Sequence, residues 1–449
     1  MKITKKILII LMIISTLFSG LIYTNPVQAD NSGITKLSSA PEADFTLASD
    51  GAILMEASTG KVLYGKNVNQ KLYPASTTKI LTAILAIEHC KPTDKITASY
   101  DAVMSLPSGY SNAAIQPGET LEFQDLLDMF LIHSANEIGT ILAEHVSGNV
   151  ENFAKLMNKK VAELGCKNTH FTNPSGIHDE NHYTTAYDMA LIARYCMKNE
   201  TFRNTVAKTS CTVEATDKYE ERYFKNTNDL LNSKSDYYYE YAIGVKTGYT
   251  SQSKRCLIAA SLKDDLELIT VTLGAQSTTP DTRYQDTINL FNYGYDNYKI
   301  AKIADKNSII EEISIKNATK DTANLSLLLK NDITGLVPAD SNLINLDYTV
   351  KLEDLIAAPI QEGEVLGKIT YKIGDFEYSS DLVAAHSVEE FEPITILWQI
   401  ALALLVLFVL AKLILPKKKS KKKSKKNSKK RNTYKKKKSG SNKDSIYKF

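Results

Sequence analysis

Tyr73-Pro74-Ala75-Ser76-Thr77-Thr78-Lys79 runs directly into Ile80-Leu81-Thr82-Ala83-Ile84-Leu85-Ala86-Ile87. The apolar residues fall on every side of a 3.6-residue repeat, so the spacing predicts a helix buried all round. Its first turn carries Ser76 and, three residues on, Lys79. Positions i and i+3 share one face, so the amine reaches the hydroxyl. A Lys drawn into a buried site loses hydration, which favours the neutral amine. A neutral amine can take the Ser proton and leave a nucleophile. Ser-x-x-Lys recurs at Ser58/Lys61, Ser251/Lys254 and Ser420/Lys423. The first two fall in turns and the third in a Lys-rich tail, so only Ser76 opens a buried helix.

Moving outward, Gly51–Ala57 and Lys61–Tyr64 read as a hairpin around Ser58-Thr59-Gly60. Residues 30–44 are polar and read as a linker. Tyr100 to Gln116 lacks periodicity and reads as a loop, and a helix is expected to open at Thr120. Further helices are expected at Glu137–Val146 and Val150–Leu164. Thr185-Ala186-Tyr187-Asp188 reads as the capped start of another. Tyr241–Thr247, Arg255–Leu262 and Leu266–Leu273 read as an antiparallel meander. Strands thus lie at both ends of residues 45–298, with helices between. The expected fold is α+β, one antiparallel sheet with an inserted helical lobe and a cleft between them. From about residue 302 to 388, short alternating runs predict a small all-β domain.

The chain has 449 residues, enough for two or three domains. Its net charge of +3 hides a strong asymmetry. Lys417 to Phe449 holds 17 Lys+Arg against the single acid Asp444, while Asp30 to Ala411 carries −17. Residues 1–29 read as a secretory signal, with Lys2, Lys5 and Lys6, an apolar run from Ile7 to Ile22, and Val27-Gln28-Ala29 before a cleavage point at Asp30. Ile394 to Leu415 is an apolar run of 22 residues, long enough to span a bilayer. Trp398 suits its interface, and the basic segment 416–449 predicts a cytoplasmic tail, with residues 30–393 outside. Behind a span, that tail reads as a grip on anionic lipid headgroups of the plasma membrane rather than a nucleic-acid arm. The five Cys are odd in number and show no Cys-x-x-Cys spacing, and the seven His form no His-Glu-x-x-His pattern. Neither a disulfide framework, a metal site nor a cofactor is expected.

Two further motifs carry chemistry. In Leu131-Ile132-His133-Ser134-Ala135-Asn136-Glu137, the Ser134 hydroxyl can relay a proton and the Asn136 amide can hold a substrate amide. In Ile243-Gly244-Val245-Lys246-Thr247-Gly248-Tyr249, an exposed Lys-Thr-Gly ends a strand. Gly248 permits close approach of substrate to the backbone. Lys246 offers a cation to an anionic substrate and disfavours a second cation on Lys79.

Ser76/Lys79, Ser134/Asn136 and Lys246-Thr247-Gly248, in this order, resemble the three-motif set of penicillin-binding proteins and serine β-lactamases. Phe171-Thr172-Asn173-Pro174-Ser175-Gly176-Ile177, the stretch His182 to Ala190, Leu273-Gly274-Ala275 with Arg283, and Pro359 to Gly367 extend the likeness over roughly residues 45–390. It is to the low-molecular-mass penicillin-binding proteins, the serine-type D-alanyl-D-alanine carboxypeptidases. The resemblance implies that Ser76 is acylated, that Lys79 is its base, that Ser134 passes a proton to the departing D-alanine and that Asn136 orients the peptide. It makes the backbone N–H groups of Ser76 and Tyr249 the oxyanion hole, and Lys246, Thr247 and Arg283 the holders of a terminal carboxylate. It implies peptidoglycan stem peptides as substrate and β-lactams as inhibitors. A D,D-endopeptidase would use the same residues; a β-lactamase or an idle wall-binding scaffold are the other readings. The helical lobe shows no assured counterpart of the Glu that deacylates class A β-lactamases.

Overall fold

The computed structural model describes residues 33–276 and 278–414. Residues 1–29 and 416–449, read as signal and basic tail, lie outside them. In chain order the elements are β1 (Ile34–Lys36), β2 (Gly51–Glu56), β3 (Val62–Lys66), a 3-10 turn (Ala75–Thr78) running into α1 (Lys79–Ile87), β4 (Lys95–Thr97), α2 (Tyr100–Met104), β5 (Thr120–Glu122), α3 (Phe123–Asp128), a π-helical turn (Met129–His133), α4 (Glu137–Ser147), α5 (Val150–Glu163), α6 (Ala186–Met197), α7 (Glu200–Val206), β6 (Ser210–Val213), β7 (Arg222–Lys225), β8 (Ala242–Thr250), β9 (Lys254–Lys263), β10 (Leu266–Ala275) and α8 (Thr282–Asn297). Then come β11 (Tyr298–Ala304), β12 (Ile309–Ser314), β13 (Asn324–Leu329), β14 (Ile333–Pro338), β15 (Tyr348–Leu352), β16 (Val365–Ile373), β17 (Phe376–Ala384) and α9 (Pro393–Ile414).

An antiparallel sheet of six strands runs β1-β3-β2-β10-β9-β8, joining strands from both ends of the first region. Its central strands are apolar on both faces because each face meets a different layer. Ile53 and Met55 of β2, Ile258 and Ala260 of β9, and Ile269 and Val271 of β10 enter the core shared with the helical lobe. Leu54, Leu257, Ala259 and Leu268 point the other way, to Tyr284, Leu290 and Phe291 of α8. The period of two along each strand thus builds two cores from one sheet. Helix α1 lies in the first of these, with every residue from Lys79 to Ala86 buried. Strand β8 is the sheet's edge, so its backbone borders the cleft.

Four expectations are corrected. The stretch 30–44 is not all linker: Ile34–Lys36 pairs antiparallel with β3. The loop 100–116 begins with α2, whose Ser99 hydroxyl accepts from Ala102 N at its N-cap. Thr120–Glu122 pairs with β4, and the helix opens only at Phe123. The Lys-Thr-Gly stretch is not exposed and does not end its strand, since Lys246 and Thr247 are buried and β8 continues to Thr250. By contrast, Thr185 caps α6 by accepting from Asp188 N at 3.0 Å.

A five-stranded sheet, β12-β13-β17-β16-β15, and the pair β11-β14 form the all-β domain. It adjoins the first domain through Tyr298, Leu336 and Phe376, which share the α8 core. Asp375, in its β16–β17 turn, accepts from Ser39 N at 2.8 Å, and its carbonyl accepts from Lys61 Nζ at 2.5 Å. Helix α9 is apolar over 22 residues, with none of its side chains buried.

One ion pair ties the residue before β5 to β7. Glu119 is wholly buried, and its carboxylate receives Arg222 Nη2 at 2.6 and 2.7 Å, Thr216 Oγ1 at 2.8 Å and Gln116 N at 2.8 Å. Removing one partner leaves a buried charge uncompensated, at a cost of about 3–5 kcal/mol. Glu119→Ala should therefore lower the midpoint of urea unfolding sharply. A shift as small as that of a surface Glu→Ala control would disprove the pair's role.

Candidate active site

The nucleophile's turn is tightly constrained. Ala75, just before Ser76, has φ of 49° although it carries a Cβ, a backbone state costing of order 1–3 kcal/mol. Neighbouring glycines let other segments close on it. A Cβ on Gly176 would stand 1.8 Å from the Ala75 carbonyl oxygen. A Cβ on Gly248 would stand 3.1 Å from both Pro74 O and Ser76 N, so β8 lies directly against Ser76. Gly248 thus serves first as a packing residue within the protein.

Lys79 is fully buried, and its Nζ has three oxygen partners: Ser76 Oγ at 2.9 Å, Asn136 Oδ1 at 2.7 Å and the Ser175 carbonyl at 2.7 Å. Asn136 Oδ1 and the Ser175 carbonyl can only accept. A neutral amine has two N–H bonds and one lone pair. Its two N–H groups meet those two acceptors, and the lone pair is left facing the Ser76 hydroxyl. Burial, and next the Lys246 charge, hold Lys79 well below its ordinary range, against an opposing pull from Glu137. A neutral amine so placed can accept the Ser76 proton, which is what a general base requires.

Asn136 is held in turn. Its Nδ2 donates to the Ser111 carbonyl at 2.8 Å, as does its backbone N at 2.9 Å. The Ser175 hydroxyl donates to the Asn136 carbonyl at 2.8 Å. Glu137, next along, accepts from Ala113 N at 2.6 Å. Its carboxyl is pushed up, mainly by burial. Ser134 closes the π-helical turn at φ 70°, with its N–H on the Met129 carbonyl. Its hydroxyl is not among the three partners of Lys79.

On β8, Lys246 Nζ donates to the Thr247 carbonyl at 3.0 Å. Burial, with the nearby Arg283 charge second, lowers Lys246 to about 7. Arg283 is not free. Its Nε donates to Asp281 Oδ2 at 3.1 Å, its guanidinium lies 4.7 Å over the Tyr284 ring, and Asp281 also pairs with Arg255. The Tyr249 side chain is 59% exposed. The structure therefore bonds Ser76, Lys79 and Asn136 directly and sets Lys246 to Gly248 alongside. Sequence reading missed Ser111 and gave no site role to Ser175. Both act through backbone carbonyls, which no side-chain motif reports.

A family model described as D-alanyl-D-alanine carboxypeptidase matches residues 36–277. The chain belongs to this family. A second model, described as the C-terminal domain of penicillin-binding protein 5, matches residues 298–390. Among curated relatives, the D-alanyl-D-alanine carboxypeptidase DacF of Bacillus subtilis is 35% identical over 327 residues, covering 72% of this chain and 80% of the relative. Penicillin binding protein 5 from Haemophilus influenzae has a similar structure, with a TM-score of 0.63 and 26% identity over 78% of this chain and 100% of that one. A Streptomyces K15 DD-transpeptidase variant is also similar, with a TM-score of 0.52, 30% identity, and 56% of this chain and 99% of that one covered. The fold expected from the three-motif resemblance is thus the fold of the carboxypeptidase family.

Gly176→Ala should abolish acylation by a labelled penicillin, because the added methyl meets Ala75 O and φ there is +80°. Gly118→Ala is the control. Its φ is +78° but nothing lies within 4 Å, so it should cost only about 1–2 kcal/mol and keep full labelling. Equal labelling of the two variants would show that the turn does not need Gly176.

Proposed function

We propose that this serine D-Ala-D-Ala carboxypeptidase removes the terminal D-alanine from peptidoglycan stem pentapeptides through an acyl-enzyme on Ser76. The three-partner amine of Lys79 is the observation that carries this reading. Lys79 takes the Ser76 proton as Oγ attacks the carbonyl of the penultimate D-alanine. The oxyanion is met by the backbone N–H groups of Ser76 and Tyr249. The proton taken by Lys79 passes through the Ser134 hydroxyl to the departing amine, which leaves Lys79 neutral again, and Asn136 orients the peptide. Lys246, Thr247 and Arg283 hold the terminal carboxylate by charge-assisted bonds. D-alanine leaves, water attacks the ester with Lys79 again as base, and Ser76 is regenerated. A β-lactam enters by the same attack and remains as a slow ester.

A stem pentapeptide incubated with the enzyme should release D-alanine, and Ser76→Ala should abolish both release and the penicillin adduct, located by mass spectrometry. The same peptide with its terminal carboxylate amidated should react far more slowly. Equal rates on acid and amide, with cleavage of crosslinked dimers, would favour the endopeptidase reading.

The two lysines make opposite demands on pH. Lys79 must be neutral, so activity rises as it loses its proton. Lys246 must be charged to attract the carboxylate, and that charge is lost as pH rises through about 7. For the free acid, kcat/KM should therefore fall above about pH 7. Lys246→Arg, always charged, should move that fall to higher pH. A profile identical in the Arg variant would rule out Lys246 as its source.

We further propose that α9 anchors the enzyme to the plasma membrane, with the first two domains outside and the basic tail inside, against anionic lipid. Each basic residue adds about 1 kcal/mol at most near such a surface, so the apolar span dominates anchoring. Truncation before Pro393 should release a soluble enzyme with unchanged kcat. Protease added to intact cells should spare an epitope at Phe449. Digestion of that epitope would contradict the topology.

A further inference from the structure

One hydroxyl beside the cleft has no place in the mechanism above. Thr227 follows β7, and its Oγ1 lies 2.7 Å from Thr247 Oγ1. Thr247 is buried, whereas Thr227 is an exposed residue, so the pair sits where the buried strand meets the open cleft. The backbone of Thr227 is fixed on both sides. Its N–H donates to the Ile132 carbonyl at 3.2 Å, two residues before Ser134. Its carbonyl accepts from the Tyr284 hydroxyl at 3.3 Å. That same tyrosine accepts from Asp229 N at 3.0 Å, stacks on Tyr237 at 4.9 Å and carries the Arg283 guanidinium over its ring. Thr227 thus stands on the framework that also places Arg283, and touches the hydroxyl of the Lys-Thr-Gly strand.

We infer that Thr227 is a specificity-determining residue, which with Thr247 forms a two-hydroxyl cradle for the substrate's terminal carboxylate. The inference rests on the proposal that Lys246, Thr247 and Arg283 recognise that carboxylate. Each threonine hydroxyl has one hydrogen and can both donate and accept. In the empty cleft one hydrogen is spent between the two oxygens. A carboxylate accepts at both of its oxygens, so each hydroxyl can turn its hydrogen to one of them. Two charge-assisted bonds then replace one neutral bond. Neither hydroxyl needs to change its protonation state, so this contribution persists where Lys246 has lost its charge.

The test compares Thr227→Val, Thr227→Ser and Thr247→Val in the full chain, purified in detergent, on a stem pentapeptide with a free terminal carboxylate and on its terminal amide. Active enzyme is counted with labelled penicillin, so an inactive fraction does not enter the rates. Thr227→Val should raise KM for the acid about tenfold with kcat nearly unchanged, the size of one lost charge-assisted bond. It should change the amide's kcat/KM less than about twofold, and Thr227→Ser should restore the acid's KM. Equal losses on acid and amide, no loss, or a Ser variant as weak as Val would overturn the cradle while Thr247→Val still discriminates acid from amide. If the loss caused by Thr247→Val is also the same on acid and amide, the carboxylate reading itself falls, and the cradle with it. Should Thr227→Val yield no folded protein, Thr227→Ala takes its place in the same comparison.

Discussion

Everything at this site depends on keeping one lysine dry. Removing an ammonium from water is costly, so the Lys79 amine stays neutral where its surroundings satisfy that form. Three parts of the chain supply the partners: the turn leading into its own helix gives Ser76, the start of α4 gives Asn136, and the segment between α5 and α6 gives the Ser175 carbonyl. The buried faces of α1 and the sheet hold these segments together. The helical lobe therefore keeps the Lys79 amine away from water and supplies two of its three partners.

The same constraint explains why strain is tolerated here. Ala75 and Ser134 both adopt φ values that L-residues avoid. Each is boxed in by buried neighbours, Thr77 and Thr78 on one side and Phe130 to Ile132 on the other. Packing overrides the local preference and fixes Ser76 and Ser134 in place before substrate arrives. The second buried lysine, Lys246, is handled differently. Among the described residues its one hydrogen-bond acceptor is the Thr247 carbonyl, and the charge of Arg283, itself paired with Asp281, adds to burial in lowering it. That arrangement is poor for stability in the empty enzyme and well suited to an anion.

Much of this was legible in residue order. Burial of α1 followed from its largely apolar run, and the meander β8–β10 from strand-length runs between short turns. The cleft's wall residues were less legible, because local pattern competes with partners far along the chain. Thr120–Glu122 reads as the opening of a helix, yet pairing with Lys95–Thr97 makes it a strand. Ile34–Lys36 looks like polar linker, yet an open edge of the sheet accepts it. Lys246 looks exposed because it is charged, and it is buried because the edge strand lies against the nucleophile's turn.

Sequence by itself determined the chemistry available: a Ser and a Lys on one helical face, a Ser-x-Asn, a Lys-Thr-Gly, an apolar segment of spanning length and a basic end. These are matters of residue type and spacing, which covalent order specifies. Only the tertiary structure decided which groups complete the site. Carbonyls of Ser111 and Ser175, and the hydroxyl of Thr227, carry no motif, because any residue has a carbonyl and threonine is common. Their roles come from position alone, and position is set by the packing of sheet and lobe around Lys79.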